Sequence, residues 1–108
     1  MSDALLRLED KGRVMAWKGH RFSLTEEGYA LVHCLALCAD RTVQYQVLHQ
    51  VAFGVAAVIP SRVARLAGHL RARTMAVTSW PLPILEDLGR GYRLGLDRRH
   101  VAIITSGG

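Results

Sequence analysis

Four basic side chains recur at helical spacing between residues 62 and 73: Arg62, Arg65, His69 and Arg73. At about 100° per residue they gather on one side of a helix. Val63, Leu66, Ala67 and Leu70 gather on the other. Ser61, Gly68 and Ala72 lie beside these basic residues on the wheel. Guanidinium groups bind phosphate oxygens and, bidentately, guanine edges. Small residues beside them let a backbone approach a groove closely. The chemistry this pattern offers is therefore the grip of a polyanion. A solvated polar helix face is the plainer reading of the same stripe.

The charge distribution leans the same way. Residues 1–54 hold six Lys or Arg against six Asp or Glu, and residues 55–108 hold eight Arg against three. The whole excess of the net charge of +5 thus lies in the second half. Such asymmetry suits a nucleic-acid face. If four to six phosphates are neutralised, log K should fall against log salt with a slope of about −4 to −5.

Other chemistries find little support. Cys34 and Cys38 share a helix face beside His33, a spacing that metal ligands can use. A four-ligand site needs partners that the neighbouring sequence does not supply. Two buried core thiols are the expectation, with no metal and no cofactor. His20, His33, His49, His69 and His100 are scattered, without paired carboxylates or a nucleophile elbow around them. No phosphate-cradling GxxxxGK[ST] run occurs. An enzyme is not expected.

These groups need a scaffold. At 108 residues and 50% hydrophobic, the chain has the size and apolar content of one domain with a real core. No apolar run is long enough to span a bilayer, so no membrane role is expected. Met1-Ser2-Asp3-Ala4 does not open like a signal peptide, and two cysteines suit a reducing cytosol. A cytoplasmic protein, associated with the nucleoid when bound to DNA, is the expectation.

Leu5–Glu9, Arg13–Trp17 and Arg21–Leu24, separated by Asp10-Lys11-Gly12 and Lys18-Gly19-His20, read as an antiparallel meander. Thr25 then caps a helix with Glu26 and Glu27 in its first turn. That helix ends at Asp40-Arg41, and Thr42-Val43 is a short extended link. A second helix runs from about Gln44 to Ala52, and the mostly apolar stretch from Phe53 to Pro60 connects it to a third. Ser61 is the expected cap of the third helix, which carries the cationic stripe over about 61–73. Thr74 to Pro83 reads as a loop. Ile84–Leu88 and Tyr92–Leu96 flank Gly89-Arg90-Gly91 and read as a hairpin. The expected class is α+β: a winged helix-turn-helix with an N-terminal antiparallel β-meander, three helices and a C-terminal β-hairpin wing. Residues 1–96 are the expected domain, and 97–108 a tail with an extra strand at Val101-Ala102-Ile103-Ile104.

Three islands resemble one family. The run Phe22-Ser23-Leu24-Thr25-Glu26-Glu27-Gly28-Tyr29-Ala30-Leu31-Val32 resembles the "LT-x-x-E-F-x-L-L" opening of the first helix in OmpR/PhoB-type DNA-binding domains. Val63 to Leu70-Arg71-Ala72-Arg73 resembles their recognition helix, which ends in "LR-x-K". Gly89-Arg90-Gly91-Tyr92-Arg93-Leu94 resembles their wing signature "G-x-G-Y-R-L". The resemblance covers about Leu5 to Leu96. It implies a bacterial-type transcription regulator that binds double-stranded DNA sequence-specifically. Helix 61–73 would lie in the major groove, and wing 89–91 on the adjacent backbone or minor groove. Ser61, Arg62, Arg65, Gly68, His69, Arg73, Arg90 and Arg93 are the expected DNA-contacting residues. Arg71 is expected to pair with a carboxylate or carbonyl of the first helix, and Tyr92 to anchor the hairpin in the core.

The departures are informative. Gly28 replaces the family's Glu, which removes the reciprocal half of a capping box with Thr25. Glu86, Asp87 and Leu88 stand where the family has "T-V-R", placing acid beside the wing. The family joins this domain to a phosphoacceptor receiver, and the expectation here is a stand-alone effector domain. The alternative function is a winged helix that docks on RNA polymerase or another regulator without reading DNA. The resemblance implies that Phe53–Ile59 is where polymerase is touched. A homodimer is a further expectation, with 101–104 pairing across a two-fold axis or folding back onto its own sheet.

Overall fold

The computed structural model describes residues 4–105. Met1–Asp3 and 106–108, the two ends of the expected domain and tail, lie outside the described residues.

Three short strands open the chain: β1 (Leu6–Glu9), β2 (Val14–Trp17) and β3 (His20–Ser23). They pair antiparallel in sequence, as the alternation of side chains requires. Leu6, Leu8, Met15, Trp17 and Phe22 point to one side and are buried. Helix α1 (Glu26–Leu37) follows, capped by the Thr25 hydroxyl, which accepts from the Gly28 N–H at 3.1 Å. No side chain at 28 returns the bond, so the cap is one-sided.

The expected link at Thr42-Val43 is in fact the start of a strand. β4 (Val43–Gln44) pairs antiparallel with the later strand β6 (Gly91–Leu94). Two residues carry too little pattern to show as a strand, and the pairing is dictated from the far end of the chain. Helix α2 (Tyr45–Phe53) starts directly after it.

Helix α3 differs from its sequence reading at both ends. It runs Pro60–Thr78, not 61–73. Ile59 is the N-cap, without a side-chain bond, and Pro60 takes the first helical position, where its fixed φ and missing N–H cost nothing. Ser61 is therefore inside the first turn and does not cap. At the other end, Thr74 looked like a loop opener. Its hydroxyl folds back on the Leu70 carbonyl at 2.9 Å and accepts the Leu82 N–H at 2.8 Å. Thr78 bonds back to the Thr74 carbonyl in the same way, at 2.7 Å. These i−4 bonds satisfy both hydroxyls within the helix, and the Leu82 bond ties the last turns of α3 to the chain beyond it. The helix stops at Ser79, whose φ of 64° is left-handed.

β5 (Ile84–Asp87) and β6 form the hairpin, and with β4 they make a three-stranded sheet in the order β4-β6-β5. The turn is Leu88-Gly89-Arg90; Gly91, expected in the turn, opens β6 instead. It must be Gly, because a Cβ there would collide with the Val43 carbonyl. A 3-10 turn at Arg98–His100 leads to β7 (Val101–Ile104). β7 pairs parallel with β1 of its own chain, Leu6 opposite Val101, and completes a sheet ordered β3-β2-β1-β7. Val101 and Ile103 pack against the core. The core itself fills the space between the two sheets and the three helices, with Leu31, Leu35, Leu48, Val63, Ala67 and Leu94 fully buried.

Candidate nucleic-acid interface

α3 buries Val63, Ala67, Leu70 and Thr74. Ser61, Arg65, His69 and Ala72 are exposed on its far side, with Gly68 half-exposed beside them. The wheel thus has the expected polarity, but its three arginines are not equivalent. Arg65 has no polar partner among the described residues. Arg62 leans onto α2: its guanidinium lies 4.1 Å from the Phe53 ring centroid and 3.2 Å from His49 Nε2. Arg73 leans the other way, donating to the Ser23 carbonyl at 2.8 Å with its guanidinium 5.3 Å from the Phe22 ring centroid. Both stay exposed at the rim while fixing how the helix sits.

His49 is 1% exposed. Its Nδ1 meets the Val55 carbonyl, which can only accept. Nδ1 therefore carries the proton, and Nε2 is left to accept from Arg62. One imidazole ties α2, the α2–α3 connector and the first turn of α3 together.

Arg71 donates to a carbonyl at 2.6 Å, but the carbonyl is that of Ile84 on β5, not of α1. The physical reason is angular. Leu70 is the α3 residue that faces Gly28 of α1, and Arg71 lies about 100° further round, toward the hairpin. Tyr92 is buried, as expected of an anchor. Burial first, then the Glu86 charge, raises its phenol pKa, and Arg71 opposes both.

On the wing, Arg93 pairs with Asp40 at 3.0 Å, at the end of α1. Arg90 projects from the tip with no side-chain partner among the described residues, while its carbonyl accepts from the Tyr45 N–H at 3.1 Å. The acids entering the wing are held back from the tip. Tyr45 donates to Glu86 at 2.6 Å and Thr42 donates to Asp87 at 3.0 Å. The Glu86 bond, reinforced by burial, pushes the Tyr45 phenol up to about 12.

A cleft of about 510 Å³ opens between the wing tip and the start of α2, lined by Thr42, Gln44, Gln46, Gly89 and Arg90 among others. Gln44 makes no side-chain cap on α2. The start of α2, with the positive end of its dipole, thus borders a cleft also lined by Arg90, an arrangement that suits an anionic oxygen. Thr42, Gln44 and Gln46 were not singled out in the sequence. Three polar residues at the start of the second helix were the available signal.

Cys34 and Cys38 are half-buried free thiols packed against the core. Burial pushes the Cys34 thiol up, with a smaller effect from Cys38. Among the described residues no group of three His, Cys, Asp or Glu side chains could hold a metal ion, and no helix is long and apolar enough to cross a membrane. Val47, Val51, Val55, Val58 and Ile59 are exposed along α2 and the connector.

A meander, three helices and a hairpin, with the third helix exposed beside the hairpin, make this a winged helix-turn-helix fold. Two solved structures carry the likeness. The DNA-binding domain of Escherichia coli CadC superposes with a TM-score of 0.67 at 16% identity, over 90% of this chain and 96% of that one. The Klebsiella pneumoniae RstA DNA-binding domain, solved in complex with the RstA box, gives 0.71 at 19% identity, over 88% of this chain and 95% of that one. No protein-family model and no curated protein sequence matches the chain.

Proposed function

We propose that this chain binds double-stranded DNA as a bacterial-type transcription regulator. The exposed face of α3 reads base edges in the major groove, and the wing holds the adjacent backbone or minor groove. The observation that carries this reading is the pair Arg65 and Arg90. Each is a guanidinium without a protein partner among the described residues, one on the free face of α3 and one over the uncapped start of α2. Ser61, Gly68 and Ala72 around Arg65 allow close approach of the helix backbone, and His69 adds a donor at its edge. Arg62, Arg73 and Arg93 hold the scaffold and bring charge to the rim. The likeness to two domains described as DNA-binding, one of them solved on its DNA box, supports the same reading.

The test is a titration of the full chain against random duplex DNA and against a duplex selected from a random pool, at several salt concentrations. Binding that weakens with salt and favours the selected duplex supports the reading. No salt-dependent binding to either overturns it.

A second reading is favoured by one observation. Val55 and Val58 are 61% and 67% exposed and continue the exposed Val47–Val51 side of α2. That is an apolar strip running from the side of α2 to the rim of the cleft under the wing, where Val58 lies, and it is suited to docking on RNA polymerase or another regulator. For a second copy of the chain, the candidate contact is the outer edge of β7, which no strand covers among the described residues.

A further inference from the structure

The wing tip carries one side chain that charge does not explain. Arg90 N–H donates to the Asp87 carbonyl at 2.9 Å and closes a four-residue turn. Gly89, with φ +79°, supplies the left-handed position that this turn requires. The residue before it, Leu88, points away from the hairpin. It is 83% exposed, the highest value of any large apolar side chain among the described residues. The tip is also stiff: Gly91 packs directly on the Val43 carbonyl, and the Arg90 carbonyl accepts from Tyr45. The neighbouring carboxylates of Glu86 and Asp87 are bonded to Tyr45 and Thr42. What the tip projects is therefore one aliphatic wedge with one free guanidinium two residues on.

We propose that Leu88 enters the minor groove and partly unstacks a base step, kinking the duplex, while Arg90 binds the flanking phosphates. This rests on the DNA-binding reading above. An aliphatic side chain gains nothing from phosphates or from a hydrated groove edge. On duplex DNA its burial is complete only between bases, where apolar wedges are known to bend the helix away from the minor groove. The groove is about 6 Å wide, which admits a tight hairpin tip but not a helix. Pyrimidine–purine steps unstack most easily, so the wing would prefer a TA or CA step without any hydrogen bond to its bases. Leu88 is then a specificity-determining residue that acts through deformability.

The experiment uses the full chain with duplexes of about 30 base pairs, a length over which a kink changes the end-to-end distance measurably. Each carries a donor and an acceptor dye at its ends and a 2-aminopurine in one central step, either TA or AA. The wild-type chain is expected to raise energy transfer and 2-aminopurine emission on the TA duplex, and less on the AA duplex. Leu88→Ala should lose both signals and the TA preference, with affinity for the TA duplex reduced about tenfold. Leu88→Phe should keep the kink, and Arg90→Ala should weaken binding to both duplexes while keeping it. Equal melting curves for the Leu88 variants show that the fold is intact. Wild-type binding without a kink, or a kink unchanged in Leu88→Ala, overturns the wedge while leaving the DNA-binding reading in place. Failure of the wild-type chain to bind either duplex at low salt overturns both.

Discussion

Arg62 donates to His49 Nε2 across the joint between α3 and α2, at 3.2 Å, and His49 Nδ1–H donates to the Val55 carbonyl. The contact fixes the first turn of α3 against the connector from inside the protein, because the imidazole is almost fully buried. Removing the ring leaves a carbonyl and a guanidinium without their partner, and a cavity beside Phe53. His49→Ala should therefore lower unfolding stability by about 2–4 kcal/mol. Urea unfolding measures it, and an unchanged midpoint would show that the triad holds nothing.

This relationship is not legible in the sequence. Period and turn chemistry revealed the meander, the three helices and the hairpin, because each of those is a local pattern. The apolar stripe of α3 was legible for the same reason. The fate of each arginine was not. Arg62, Arg65 and Arg73 look alike along the chain, yet His49, Phe22 and Ser23 lie far from them in sequence and decide which guanidinium is free. β4 was missed because two residues have no period, and the last turn of α3 because Thr74 finds its second partner at Leu82 across a loop. In sequence Glu86 and Asp87 read as repulsion at the wing; in the fold they are bonded to Tyr45 and Thr42.

Arg65 and Arg90 should separate in their effects on DNA. Arg65→Ala is expected to cost about 1–3 kcal/mol on a selected site and to relax its sequence preference. Arg90→Ala should weaken all sequences alike. With Arg62, Arg73 and Arg93 engaged by the protein, the salt slope should be about −3, shallower than net charge alone predicts. Equal losses on every sequence for both variants would remove α3 from its assigned role. A slope of −4 to −5 or steeper would show that the engaged arginines also reach phosphate.

Arg71 ties α3 to the base of the wing through the Ile84 carbonyl at 2.6 Å. Arg71→Ala should lower the melting temperature, with a stability loss of about 1–3 kcal/mol, because it leaves that half-buried carbonyl unpaired. A melting temperature equal to wild type together with a collapse of DNA binding would instead make Arg71 a DNA contact.

Tyr45 makes stability depend on alkaline pH. Its phenol is pushed up from 10.0 to about 12, chiefly by donating to Glu86. Folding therefore disfavours the phenolate. The stabilisation is whole below the ordinary value of 10.0 and disappears as pH rises through about 12. Tyr45→Phe lacks the bond at every pH. The gap in melting temperature between wild type and Tyr45→Phe should be present near neutrality and shrink above about pH 10. A gap that stays constant into that range would mean that the Glu86 bond contributes nothing to the difference.

β7 gives the last prediction. It lies parallel to β1, with Val101 and Ile103 packed against the core. Deleting 97–108 should therefore lower stability, because it strips a strand and part of the core as well as any dimer contact. A point variant separates the two effects. The outer edge of β7 is the run Val101-Ala102-Ile103-Ile104, without charge or proline, whereas the opposite edge of the same sheet, β3, carries His20 and Arg21. Charged residues on edge strands discourage pairing with another chain, and their absence leaves the β7 edge open to it. A second copy would add its own β7 antiparallel about a two-fold axis, which matches each strand to itself and sets the two Arg98-Arg99 pairs at opposite ends. Ile104 is exposed, so Ile104→Lys should leave the melting curve within about 0.5 kcal/mol of wild type. The same variant should convert a dimeric solution mass at high micromolar concentration to that of one chain. If the wild-type chain is monomeric at that concentration and remains so on DNA, the β7 edge is not a dimer contact, and the domain acts singly or beside another protein.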